Sequence, residues 1–217
     1  MNYYPARYSD VYGSETTVIT NDGENIQLVV RGFTFNGTDF DSLSPSEQMT
    51  QEQLQQFPLH RNCLCSCCIE CQIPIPLHDN GKVKDGTLFV KLVLGDPIPN
   101  GNLEQQMLTF AFEYDVHQFI SSGKSGWFED ELLEIQAQLP NGVYILACIN
   151  CLYSDYSPYG QGMFGCLMCF RNLKTEYLAV KTKEDFWTVH DRYDRLVQET
   201  YLCPEFQRRT LGTGYRG

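Results

Sequence analysis

Ten cysteines in 217 residues are the side chains with the most evident chemistry. Three Cys-x-x-Cys pairs occur, Cys68/Cys71, Cys148/Cys151 and Cys166/Cys169, and Cys63, Cys65 and Cys67 alternate. A two-residue spacer in a tight turn brings two thiolates to one tetrahedral ion, with each sulfur about 2.3 Å away. Alternate residues of a strand do the same from one face. Cys148/Cys151, fourteen further residues and Cys166/Cys169 approach the ribbon-type zinc spacing. A competing set takes Cys65 and Cys67 from one strand with Cys148 and Cys151. Either would be a closed four-cysteine centre, structural rather than catalytic, because no coordination position stays open. The bland alternative is that buried thiols are small core residues, the reading preferred for the solitary Cys203.

Other chemistry is sparse. His-Glu-x-x-His, Gly-x-Ser-x-Gly and phosphate-loop motifs do not occur. His190-Asp191 are sequence neighbours on an expected helix, so they do not face each other. His117 could complete a metal site but reads first as a turn residue. Glu129-Asp130-Glu131 fit a helix start, where the dipole favours anions, better than an acid/base pair. The loop Tyr153–Gly160 follows Cys151 directly. A metal clamp would hold its base, which marks Ser154, Asp155 and Tyr156 as candidate binding residues.

The elements that would position these groups are read from periodicity. Residues 7–10, 16–20 and 26–31 look like strands of a meander. Asp22-Gly23, Asn36-Gly37, Asp79-Asn80-Gly81 and Asp85-Gly86 look like turns. Ser44-Pro45-Ser46-Glu47 carries the signals of a helix start. Residues 88–94 and 108–114 read as strands, the latter alternating Leu108, Phe110, Phe112 and Tyr114 with polar or small residues. Phe128, Leu132, Ile135 and Leu139 share a helical face, and residues 143–149 form a strand. A last helix is expected from Thr182 to Tyr201, burying Phe186, Val189, Tyr193, Leu196 and Val197. The fold class is α+β: one domain over 1–217, mostly antiparallel sheet with two principal helices and a cysteine-rich metal site. Residues 206–217 are expected as an extended or disordered tail.

Charge narrows the function. Sixteen Lys+Arg against 27 Asp+Glu give a formal net charge of −11. Without clustered cations there is nothing to neutralise phosphates, so neither nucleic acid nor an anionic membrane is an expected partner. Acidity instead suits a basic protein partner. No charged-then-apolar leader pattern and no membrane-length apolar run is present, so a reducing, cytoplasmic location is expected. There, cysteines read as metal ligands or catalytic thiols rather than disulfides.

Four further segments carry a likeness: Ser125–Leu132 (SGWFEDEL), Cys148–Cys151 (CINC), Ser154–Pro158 (SDYSP) and Gln198–Phe206 (QETYLCPEF), with Leu64-Cys65-Ser66-Cys67 upstream. In these the chain resembles an actinomycete-rich bacterial family of unknown function. The resemblance covers most of the chain from residue 64 onward. It implies a bacterial origin and favours Cys65, Cys67, Cys148 and Cys151 as the zinc ligands, and it supplies no activity. The leading expectation is a zinc-binding interaction protein that masks a basic partner. The alternatives are a metal-assisted hydrolase or transferase using Asp155 or Glu129, and a thiol redox or metal sensor.

Overall fold

The computed structural model describes residues 1–160 and 162–215. Alternating apolar residues drive ten strands into one antiparallel sheet. Its strands are β1 (Asn2–Asp10), β2 (Gly13–Asn21), β3 (Ile26–Val30), β4 (Phe33–Gly37) and β5 (Ser44–Pro45) on one side. A small hairpin, β6 (Leu59–His60) and β7 (Cys63–Leu64), precedes the two thirteen-residue strands β8 (Cys67–Asp79) and β9 (Lys82–Leu94). β10 (Gln106–Tyr114), β11 (His117–Ile120) and β12 (Val143–Ile145) complete it. The order is β11-β10-β9-β8-β1-β2-β3-β4-β5, with β12 added to β8.

One face is buried. Ile69, Ile73, Ile75 and Leu77 of β8 lie there with Leu88, Leu92 and Leu94 of β9 and Leu108, Phe110 and Phe112 of β10. The helix α2 (Phe128–Gln138) crosses β10. It buries Phe128, Leu132 and Ile135, with the Phe128 ring 4.6 Å from that of Phe110. Pro74 and Pro76 are tolerated in a long strand because β1 pairs β8 only over Cys67–Cys71 and β12 only over Leu77–Asp79. Between those stretches one edge of β8 is open, and a missing N–H costs no ladder bond.

A second, smaller layer follows. β13 (Ser154–Asp155), β14 (Leu167–Cys169) and β15 (Arg195–Val197) form an antiparallel sheet. The short helices α3 (Lys174–Ala179) and α4 (Lys183–Phe186) pack Tyr177, Val180 and Phe186 around Phe170. Residues 206–215 lie along this layer: Leu152 N–H donates to Gln207 O, and Arg209 N–H to Asn150 O. Arg216 and Gly217, the end of the expected tail, lie outside the described residues.

The mostly antiparallel sheet, the meander and the helix over Phe128–Gln138 agree with the α+β reading. Four local expectations do not hold, the first being the strand over 143–149, which ends at Ile145 because Cys148–Asn150 close a 3-10 turn. The helix signal at Ser44-Pro45 is overridden by pairing with Asn36 and Phe35, and a single capped turn, α1 (Gln51–Leu54), forms later behind Thr50. Asn36-Gly37 and Asp85-Gly86 lie inside strands. Two-residue hairpin turns with both residues at positive φ are Arg31-Gly32, Arg61-Asn62 and the expected Asn80-Gly81. Gly86 is needed for space, since an added Cβ would sit 2.4 Å from the Phe112 ring. Finally, the Thr182–Tyr201 helix stops at Phe186, and Leu196-Val197 pair with Met168-Leu167 as strand. Partners distant in sequence outweigh helical periodicity there. α2 is thus the one long helix among the described residues, and none is long and apolar enough to cross a membrane.

Candidate functional site

The thiols separate into groups according to the element that carries them. Cys67, Cys68 and Cys71 belong to β8, where residues three apart point to opposite faces: Cys68 is half-buried, and Cys71 is buried. Cys169 is the last residue of β14, whereas Cys166 lies just before that strand. Cys166 turns toward the Gly162–Phe164 loop, and the Gly162 N–H lies 3.2 Å from its sulfur. Cys148 and Cys151 bracket a single 3-10 turn, with Cys151 N–H donating to Cys148 O at 3.0 Å. This is the compact geometry a Cys-x-x-Cys pair needs to converge.

The sequence-derived ligands therefore fall into two pairs. Cys65 lies near Asp96 and acts on Cys67, which also meets Tyr8 and Asp10. Cys148 is governed first by burial, and the cysteines near enough to act on it are Cys151, Cys203 and Cys169 instead. As the side chains stand, no three or more His, Cys, Asp or Glu among the described residues form a group that could hold a metal ion. Burial pushes the Cys67 and Cys71 thiols up to about 12 and that of Cys148 higher still. These thiols lack the thiolate character of a redox-active cysteine.

Ser154, Asp155 and Tyr156 face inward. Ser154 Oγ donates to Cys148 O at 2.5 Å, locking β13 to the thiol-bearing turn. Asp155 Oδ2 accepts from Tyr177 Oη at 2.9 Å and from Tyr215 N–H at 3.1 Å. The guanidinium of Arg209 reaches Tyr177 Oη and the Ser154 carbonyl. Asp155 thus anchors the C-terminal segment. Glu131, rather than Glu129, is the buried acid of α2: it accepts N–H bonds from Gly123 and Ser125 and the Ser125 hydroxyl, fastening the preceding loop. His117 is exposed at the start of β11, and His190 Nδ1 sits 2.8 Å from the exposed Asp191.

Two acids that sequence reasoning passed over meet across the layers. Asp39 Oδ2 accepts from Phe164 N–H at 3.0 Å. Glu199 accepts from Gly165 N–H at 2.8 Å and from Tyr156 Oη at 2.9 Å. Burial pushes both carboxyls up to about 7, with Asp41 adding to the effect on Asp39 and Asp39 adding to that on Glu199. Titration near neutrality is what general acid/base work needs. Glu199 is fully enclosed, however, and both acids hold backbone N–H groups, so their evident task is to fasten the Gly162–Cys166 loop between them.

The accessible feature of this layer is aromatic. Tyr159 stacks on Trp187 at 4.4 Å, with Tyr159 43% and Trp187 58% exposed. Lys183 Nζ lies 4.2 Å above the Tyr159 ring, His190 is 5.3 Å from Trp187, and Tyr215, 6.3 Å from the Phe186 ring, is also exposed. The Tyr-rich composition of residues 153–160 was the only hint in the sequence. Trp187 joins it through α4.

With the sheet and the thiol-bearing turn in place, comparison with known families becomes informative. The chain belongs to the family of unknown function DUF6304. The family model matches residues 2–154, which takes in the large sheet, α2, and both Cys148 and Cys151, and ends at Ser154. No curated protein and no solved structure matches the chain. Cys169, Cys203 and the Tyr159/Trp187 pair lie beyond the matched residues.

Proposed function

We propose that this chain is a bacterial, cytoplasmic, zinc-stabilised interaction protein that binds and masks a basic protein partner. The observation that carries the reading is the exposed Tyr159–Trp187 stack beside Lys183, His190 and Tyr215. Rigid aromatic anchors dominate binding energy at protein interfaces, and a large exposed aromatic group in a folded protein calls for a partner. The net charge of −11 supplies long-range attraction toward a basic surface. The actinomycete distribution read from the motifs belongs to the same proposal. Zinc serves here as a clamp under the loop that carries Tyr159. The buried Ser154, Asp155 and Tyr156 support that loop from within, and Ser157–Tyr159 form its accessible rim.

The test is recovery of the tagged chain from its host at low salt, alongside Trp187→Ala. A basic protein retained by the wild type, released at high salt and lost from the variant supports the proposal. No retained protein, or equal retention by the variant, rejects it.

A further inference from the structure

We propose that Cys148, Cys151, Cys169 and Cys203 form a zinc site that staples the end of the large sheet to the C-terminal layer. The inference deepens the zinc-clamp reading above by assigning its ligands, two of which differ from the set that the sequence resemblance favours.

Four backbone segments converge at this point. Cys148 and Cys151 are the two ends of one turn. Cys148 N–H donates to Tyr201 O at 2.6 Å, which brings in the chain two residues before Cys203, and Phe206 N–H closes a turn onto Cys203 O at 3.1 Å. Cys169 pairs with Ser154, whose hydroxyl bonds both Cys148 O and Cys151 O. Cys151 forms a bridge with Arg208, just after the Cys203 turn. All four side chains are buried and none is in a disulfide.

Burial disfavours a free thiolate at Cys148 and Cys169, so a bound divalent ion is what would draw the protons off. Cys148 feels Cys151, Cys203 and Cys169, and Cys169 feels Cys151 and Cys203. The Arg171 backbone N–H lies where it favours a Cys169 thiolate, the placement from which an outer bond would stabilise a metal-bound sulfur. Arg195, Arg171 and Lys174 act on Cys148, Cys169 and Cys151 respectively. They would balance the two net negative charges of a divalent ion held by four thiolates. What converges is the backbone, and closing the site takes rotation of the cysteine side chains onto the ion, with each thiol proton released to solvent. A soft, all-sulfur, tetrahedral and buried donor set selects zinc and leaves no open position for catalysis.

The experiment uses the whole chain purified without added metal. It combines elemental analysis, zinc-edge X-ray absorption, and mass mapping of alkylated cysteines with and without chelator. The expected result is one zinc per chain with four sulfurs at about 2.3 Å, and chelator-dependent labelling confined to Cys148, Cys151, Cys169 and Cys203. No metal, a mixed sulfur and nitrogen or oxygen shell, or chelator-dependent labelling of Cys65 and Cys67 overturns the assignment. These measurements need no variant, so a misfolded mutant cannot obscure them. A chain that holds zinc on these residues yet captures no basic partner leaves this site standing and removes the interaction reading. Partner capture by a metal-free chain does the reverse.

Discussion

The ring of Tyr159 lies 4.4 Å from the indole of Trp187, joining the loop after Cys151 to the helix α4 at the surface. Both rings are held by their neighbours rather than swinging free, so a partner meeting them loses little side-chain entropy. Trp187→Ala is expected to weaken partner binding by at least tenfold, in line with losses of about 2 kcal/mol or more at aromatic anchors. Because the indole is 58% exposed, thermal unfolding should move little. Calorimetric titration of the partner together with a melting curve checks both expectations. A large loss of stability would make Trp187 a core residue instead.

Asp39 and Glu199 give a pH dependence of unusual sign. Their folded-state values of about 7 lie above the ordinary 3.8 and 4.5. Between about pH 4.5 and 7 the folded chain therefore binds more protons than the unfolded one, and stability falls as pH rises through that window. Glu199→Gln keeps the shape, removes one titration and should flatten the slope, with a gain on the order of 1–3 kcal/mol at pH 8. Urea unfolding at pH 5, 6, 7 and 8 measures this. A slope unchanged in the variant would show that Glu199 does not titrate there.

Arg31 holds the tight turn after β3 in a left-handed conformation, φ +51°, while its guanidinium grips Asp10 at 2.5 and 2.9 Å. The Asp10 side chain is fully buried. Burial opposes its charge, but bonds from Arg31, Tyr8 and the Tyr12 N–H outweigh this and hold its carboxyl below the ordinary value. Arg31→Ala would strand that charge and is expected to cost roughly 3 kcal/mol. Double-mutant analysis with Asp10→Asn should recover part of the loss. Independent, additive effects would refute the coupling.

Gly86→Ala should destabilise the sheet by about 1–3 kcal/mol, because the new methyl meets the buried Phe112 ring. Phe112→Leu in the Gly86→Ala background should restore some of it. Chemical denaturation of the single and double variants tests the contact.

Much of this molecule was legible in the residues themselves. Alternation in β1 to β3 and β10, the apolar stripe of α2 and the Asn80-Gly81 turn are local patterns of period or dihedral preference, and they survive folding because their buried faces agree with them. The Cys148/Cys151 spacing was readable too, although the strand expected through Ile149 gives way to a 3-10 turn. Other assignments rested on partners far away in the chain. Cys166 and Cys169 share the spacing of Cys148 and Cys151, but Cys166 turns to the Gly162 loop while Cys169 sits on β14, whereas a 3-10 turn draws the first pair together. Leu196 and Val197 fit a helical stripe, yet β14 offers them a ladder. Asp155 and Tyr156 looked available in a polar loop, but Tyr177, Arg209 and Glu199 close over them. Side-chain type sets which chemistry is possible. Which groups meet depends on hydrogen bonds and packing between segments up to 177 residues apart, as in the side-chain bond from Asn21 to Gln198, and no local pattern encodes such a meeting.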